Sequence, residues 1–247
     1  MSLIERHGSG LVIVDSVYST NGSVCPLKAL VEAAYDKGCI LLVDESHSLG
    51  THGTQGRGMV VDYDLQDKVM FRTASLAKAF AGRAGIVACP AGFADYFKCT
   101  GNPAIFSSAL LPYEIAGLDK TLDLIITADE RRERLHSNAA YLRRALSELG
   151  YNTSVSSSQI IGLEVGTEKQ TTVLKDVLEA RDVFGSVFCA PATAKNRALM
   201  RLSVNSYLTM DELRYVIGVF RDIREEVGLD QWRSTQKQTN MLPLCVA

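Results

Sequence analysis

The chain has 247 residues, 47% of them hydrophobic and 22% charged, a composition that excludes collagen-like, low-complexity and wholly disordered proteins. Its 26 Lys and Arg against 28 Asp and Glu leave a net charge of −2, so no excess draws it to nucleic acid or an anionic membrane, and a small partner is expected. The cysteines (Cys25, Cys39, Cys89, Cys99, Cys189 and Cys245) contain no C-x-x-C pair, which argues against a zinc knuckle or a disulfide framework and favours a reducing, cytoplasmic setting with no metal.

No apolar run is long enough to cross a bilayer, and the opening residues lack the hydrophobic core of a signal peptide. The short apolar runs 11–14 and 40–43, ending at Asp15 and Asp44, read as strands buried on two faces. Between them Leu27, Leu30, Val31 and Ala34 fall on one helical face, with Pro26 at the start and Gly38 at the stop, which makes a βαβ unit. Residues 69–72 and 86–89 read as two further strands, so the N-terminal half is an α/β sheet. Ligands of such sheets bind beyond the carboxyl ends of the strands, where Asp15, Asp44 and the 73–78 stretch all fall.

Residues 128–149 predict a long amphipathic helix closed by Gly150 and bridging two domains. After it come a strand over 160–165, a helix over about 168–184, strands over 186–189 and 199–204, and a final helix opened by a capping box from Thr209 to Glu212. The expected domains are therefore 1–127, 128–230 and a frayed tail over 231–247.

Asp44-Glu45-Ser46-His47 puts a carboxylate at the rim of a buried strand and an imidazole three residues on; an unpaired charge there is costly, so Asp44 needs a cationic or protonated partner, or serves as a turn cap. Lys78 follows a strand in a run of small and apolar residues, where desolvation would leave its amine a nucleophile; the plain alternative is a solvated surface lysine. Gly50, Gly53, Gly56 and Gly58 spell no nucleotide fingerprint and read as a flexible turn. Walker, G-x-S-x-G and H-E-x-x-H motifs are absent, which leaves phosphoryl transfer, serine hydrolysis and zinc proteolysis unsupported.

Taken together, the segment from Val43 to Gly50, then Gly53-Thr54-Gln55-Gly56-Arg57-Gly58, then Ser75-Leu76-Ala77-Lys78-Ala79-Phe80 resemble the core of the α-oxoamine synthases, fold-type I pyridoxal-phosphate enzymes that condense an amino acid with an acyl-CoA. Asp15-Ser16-Val17-Tyr18-Ser19 upstream, and the motifs at 105–112 and 200–205 downstream, also match. The variants Glu45 and Ser46, with Phe184-Gly185-Ser186 and Pro191-Ala192-Thr193, are similar to the branch of quorum-sensing autoinducer synthases, which make α-aminoketones.

The resemblance implies an α/β fold comprising the C-terminal part of a fold-type I large domain and a small C-terminal α/β domain. A large N-terminal portion is missing relative to the family, so the chain is expected to be a fragment that binds cofactor poorly by itself. The resemblance further implies that Lys78 holds pyridoxal 5′-phosphate as an internal aldimine and then acts as base. Asp44 would pair with the ring nitrogen, and His47 and Ser19 would bond the ring's 3′ oxygen. Ser75 would bind the phosphate, Ser107 or Ser108 would reach the phosphate of a neighbouring subunit in a homodimer, and Arg201 would hold the substrate carboxylate. The competing readings are another fold-type I enzyme, such as an aminotransferase or lyase, and an inactive fragment.

Overall fold

The computed structural model describes residues 2–232 and Ser234. In chain order the elements are α1 (Ser2–His7), β1 (Leu11–Asp15), α2 (Leu27–Tyr35), β2 (Ile40–Asp44), α3 (Met59–Asp62), β3 (Phe71–Ser75), β4 (Gly85–Ala88), α4 (Ala91–Thr100), α5 (Asn102–Ile105), α6 (Pro112–Ile126), α7 (Asp129–Glu148), β5 (Ile160–Gly166), α8 (Glu168–Glu179), β6 (Ser186–Phe188), β7 (Ala198–Ser203) and α9 (Met210–Asp222). They form two compact units. The first holds the described residues up to Val17 together with Cys25–Arg132, and the second holds Tyr18–Val24 with the described residues from Glu133 onward.

In the first unit a four-stranded sheet runs in the order β1-β2-β3-β4. β1, β2 and β3 are parallel, and β4 returns antiparallel to β3. The crossover from β1 to β2 is α2, whose Leu27, Val31 and Ala34 are buried, as the helical spacing predicts. The parallel register sets Asp15 beside Asp44 and Asp44 beside Thr73, so three polar residues line up across three neighbouring strands and point to one face.

Two sequence expectations are corrected here. β1 is an edge strand, with Leu11 and Ile13 56% and 62% exposed, so it is not buried on two faces; Ile40 at the start of β2 is exposed as well. The third strand begins at Phe71, not at residue 69, because pairing starts where Phe71 meets Leu42; Val69 instead closes a turn, its N–H donating to the Leu65 carbonyl. The apolar residues before the strand fill that turn, and polar residues occupy the ladder.

The second unit contains a sheet in the order β5-β7-β6, all antiparallel, packed with α8. One apolar cluster gathers Leu142, Leu146, Ile161, Leu163, Leu174, Met200, Leu213 and Phe220 among others. The Thr209 hydroxyl accepts the Glu212 N–H while the Glu212 carboxylate accepts the Thr209 N–H, which is the capping box expected from sequence. The helix expected over about 168–184 ends at Glu179, where Ala180 caps it and the chain turns through Asp182 at φ +54°.

The segment Tyr18–Val24 belongs to this second unit because it is seated on β5. A Cβ on Gly22 would lie 1.9 Å from the Ile160 carbonyl oxygen, and the Ser156 and Ser158 hydroxyls donate to the Asn21 and Gly22 carbonyls at 2.6 and 2.9 Å. The tail expected to fray over 231–247 lies outside the described residues except at its start, and that start is packed. Trp232 is 1% exposed, its ring set edge-on to Tyr151, and its indole N–H donates to the Val227 carbonyl. The burial of this one aromatic is concealed by the polar composition around it.

Candidate active site

At the carboxyl ends of β2 and β3 the polar residues alternate between two tasks. Asp44 accepts the Thr73 hydroxyl at Oδ2 (2.7 Å) and the Ser46 N–H at Oδ1 (2.9 Å). Glu45 points the other way and is 1% exposed. Its carboxylate takes the Arg72 Nε–H at 2.8 Å, the Arg72 Nη2–H, the Val60 N–H at 3.0 Å and the Ser48 hydroxyl at 3.2 Å. A carboxylate with four donors is a satisfied buried charge, so Glu45 is structural, tying β2, β3 and the start of α3 together.

Ser46 returns to the Asp44 side, and its hydroxyl oxygen accepts the Ser75 N–H at 2.8 Å. The Glu45 N–H donates to the Thr73 carbonyl at 2.7 Å and continues the parallel ladder beyond Asp44. Behind these residues Ser16 and Ser48, both fully buried, share a hydrogen bond of 2.7 Å in which Ser16 donates to Ser48, and the Ser16 N–H donates to the Asp44 carbonyl at 2.8 Å. The backbone and side chain of Asp44 are thereby held from three strands.

Asp15 stands beside Asp44 in register, and burial, followed by the Asp44 charge, pushes its carboxyl above the ordinary range. Two neighbouring carboxylates on strand ends favour a positive charge against them. His47 follows within the same turn, half-buried, its carbonyl accepting the Thr51 hydroxyl at 2.9 Å.

The loop carrying Lys78 departs from the sequence expectation. Lys78 is exposed, not desolvated. The small residues around it serve packing: a Cβ on Gly50 would lie 2.6 Å from the Ala79 Cβ, and one on Gly82 would lie 2.3 Å from Leu118. The loop is closed by the Leu76 N–H to the Ala84 carbonyl and the Gly82 N–H to the Leu76 carbonyl. Alanine and glycine are there so that the turn after β3 can lie close against its neighbours, and the lysine is presented outward from a fixed loop. Ser75, half-buried at the end of β3, accepts the Ala77 N–H at 3.3 Å and keeps its own O–H to donate.

The glycine turn at 50–58 is likewise packed instead of loose. Gly50, Gly56 and Gly58 are buried, and a Cβ on Gly58 would lie 2.5 Å from Glu45 Oε1. Its φ of +84° is the left-handed region that glycine alone adopts without strain.

Asp44, His47, Ser75 and Lys78 thus share the strand ends of the first unit. Ser19 and Arg201 belong to the second unit and meet there: Arg201 Nη1–H donates to the Ser19 carbonyl at 3.0 Å. The Arg201 guanidinium lies 4.7 Å from the Phe188 ring centroid, its Nε is buried with no hydrogen-bond partner among the described residues, and burial weakens its hold on its proton. A buried guanidinium edge with an unused donor suits an incoming anion. Ser107 and Ser108 lie on an exposed stretch between α5 and α6, with the Ser107 hydroxyl donating to the Pro103 carbonyl.

Sequence reasoning missed Thr73, Glu45 and Arg72. The available signal was a strand whose apolar run is interrupted by Arg, Thr and Ser, which is unusual inside a parallel sheet. Chemically, the first-unit cluster can hold a protonated nitrogen against Asp44, bind an anionic oxygen through the Ser75 hydroxyl, and offer an amine at Lys78.

Residues 2–220 match the family Aminotransferase class I and II. The chain is 47% identical over 214 residues to the CAI-1 autoinducer synthase of Vibrio campbellii, spanning 87% of this chain and 54% of that protein. It is 32% identical over 219 residues to the 8-amino-7-oxononanoate synthase of Symbiobacterium thermophilum, spanning 89% and 56%. A solved serine palmitoyltransferase from S. paucimobilis with a bound PLP–myriocin aldimine has a TM-score of 0.86 at 27% identity, over 92% of this chain and 58% of that one. The chain therefore spans somewhat more than half the length of these relatives. With its parallel strands, crossover helix and matched sequence, it belongs to the aminotransferase class I and II family.

Proposed function

We propose that this chain carries the lysine-bearing and C-terminal part of a pyridoxal-phosphate-dependent α-oxoamine synthase, which condenses an amino acid with an acyl-CoA, releasing CoA and carbon dioxide, to an α-aminoketone of the autoinducer-precursor type. The observation that carries this reading is the fixed Asp44 carboxylate, clamped at both oxygens beside Asp15, with Lys78 presented from the loop that follows the adjoining strand.

The donor set fits pyridoxal phosphate. Each Asp44 oxygen uses one lone pair on a neighbour and keeps another for a ring N–H, and the crowding of Asp15 and Asp44 favours a cation there. Pyridoxal phosphate, when bound, supplies an electron sink that stabilises negative charge at the substrate α-carbon.

The protein's residues do the rest. Asp44 would keep a proton on the ring nitrogen, and, as the resemblance implies, His47 and Ser19 would serve the ring oxygen. The Ser75 hydroxyl would donate to the phosphate, and Ser107 or Ser108 would reach the phosphate of a neighbouring subunit in a homodimer. Lys78 Nζ would hold the cofactor covalently and would be the base for the substrate α-proton. Arg201, whose buried Nε has no partner among the described residues, would hold the substrate carboxylate. The proposed setting is the cytoplasm; among the described residues no helix is long and apolar enough to cross a membrane.

The test is to incubate the chain with excess pyridoxal phosphate, reduce with borohydride and locate the adduct by peptide mass spectrometry. The expected adduct is weakly formed, because Lys78 is exposed, and falls on Lys78, vanishing in Lys78→Ala. Reduction that traps the cofactor on another lysine overturns the assignment. In the intact enzyme, thiol release that needs amino acid and acyl-CoA together supports the synthase, whereas keto-acid amination without thiol release makes it an aminotransferase.

A further inference from the structure

We propose that Thr73 is a positioning residue for Asp44: its hydroxyl fixes the plane of the carboxylate that meets the cofactor's ring nitrogen. This rests on the functional reading above and extends it to a residue in the neighbouring strand.

The Asp44 carboxylate is held at both oxygens, by Thr73 Oγ1–H at 2.7 Å and by the Ser46 N–H at 2.9 Å. One donor alone leaves the carboxylate free to rotate about its Cβ–Cγ bond, whose torsion is broad; two donors on opposite oxygens stop that rotation. The Ser46 N–H comes from the same strand end as Asp44 and moves with it. Thr73 is the donor from outside, so it is the one that references the carboxylate to the sheet.

Thr73 is suited to that task. It is β-branched, so its χ1 is restricted and little side-chain freedom is lost in aiming the hydroxyl. Its backbone is fixed on both sides, paired with Val87 of β4 and accepting the Glu45 N–H at its carbonyl. Ser75, two residues on, is referenced to the same strand end through the Ser46 hydroxyl. The clamp therefore sets the spacing between the carboxylate and the phosphate-binding hydroxyl on rigid strands instead of loops.

Thr73→Val keeps the shape and the strand propensity and removes the hydroxyl. The cofactor-free measurement is amide hydrogen exchange on the full chain. The Ser46 N–H, which shares the carboxylate with Thr73, is expected to exchange about fivefold faster in Thr73→Val, with protection restored in Thr73→Ser. The Glu45 N–H, bonded to the Thr73 backbone carbonyl, is expected to stay unchanged. Equal acceleration at Glu45 and Ser46 indicates general loosening and overturns the proposal, as does unchanged exchange at Ser46.

The second measurement is the yield of pyridoxal phosphate trapped on Lys78 at limiting cofactor. Thr73→Val is expected to lower it about fivefold, and to lower it no further in an Asp44→Asn background, since its effect passes through Asp44. Additive losses overturn the proposal. If Thr73→Val does not fold, Thr73→Ala and Thr73→Ser are compared in the same two assays. A wild-type chain that traps no cofactor overturns the functional reading, while the exchange measurement still decides whether Thr73 holds Asp44.

Discussion

β5 in the second unit is buried at six of its seven positions, whereas β4 in the first unit is exposed at all four. The same contrast runs through the helices: α8 buries Thr171, Leu174 and Leu178, while α4 and α5 bury no residue. Phe106 and Tyr113, in and beside this thinly packed region, are 83% and 72% exposed. The second unit is held by non-directional apolar burial, which tolerates small shifts. The strand ends of the first are held by a few directional contacts through Glu45, Asp44 and Ser16, which depend on distance and angle. The proposed site must aim the Asp44 carboxylate, which needs the second kind of order, and Asp44 lies where that order is.

The largest effect that tests this contrast is expected from Arg72→Leu. It leaves the Glu45 carboxylate buried without its cation, which costs about 3–5 kcal/mol. Circular dichroism should show an early transition while the single tryptophan, Trp232, which lies in the second unit's core, reports an unshifted midpoint. A tryptophan midpoint that falls equally breaks the comparison, because the two kinds of order then stand or fall together.

Next in size is Leu174→Ala, which empties a fully buried position of the second core and should cost about 2–5 kcal/mol, read directly by Trp232 fluorescence in urea. Trapping of cofactor on Lys78 should be unaffected in conditions where the variant is folded. Thr209→Ala removes a helix cap and should cost about 1 kcal/mol by the same probe.

The smallest effect sharpens the comparison from the side of charge. Asp15 holds its proton more tightly folded than unfolded, so its ionisation works against folding: the stability it contributes is present below the ordinary carboxyl value of 3.8 and is lost as pH rises through its raised folded value. Asp15→Asn should therefore raise the urea midpoint at pH 7, and the gain should vanish as pH falls below that ordinary value. A gain that persists in acid points to packing instead of charge.

Much of this was legible in the chain. β1, α2, β2 and nearly every element of the second unit announce themselves by period and by caps such as Thr209 and Glu212, because burial on one face writes itself into the sequence. α4, α5 and α6 did not, since helices that bury almost nothing carry little apolar periodicity. Asp44 was readable because it ends an apolar run. Thr73 was not, because its role depends on parallel register, which no single strand encodes. The expected desolvation of Lys78 misread its neighbours: the alanine and glycine around it permit close loop packing at Gly50 and Leu118, and the amine itself faces solvent.

The seating of Tyr18–Val24 on β5 bears on how the molecule is made. The Ser156 hydroxyl that holds the Asn21 carbonyl lies 135 residues later in the chain. At a ribosome adding roughly 5–20 residues per second, the early segment waits on the order of ten seconds before the strand that receives it has been synthesised. During that interval β1 and α2, on either side of it, can already form local structure, while the segment Tyr18–Val24 stays unanchored. Closure of the second unit is thus a late event of high sequence separation, and a pause in translation beyond residue 24 lengthens the time in which this segment is open to a protease or a chaperone.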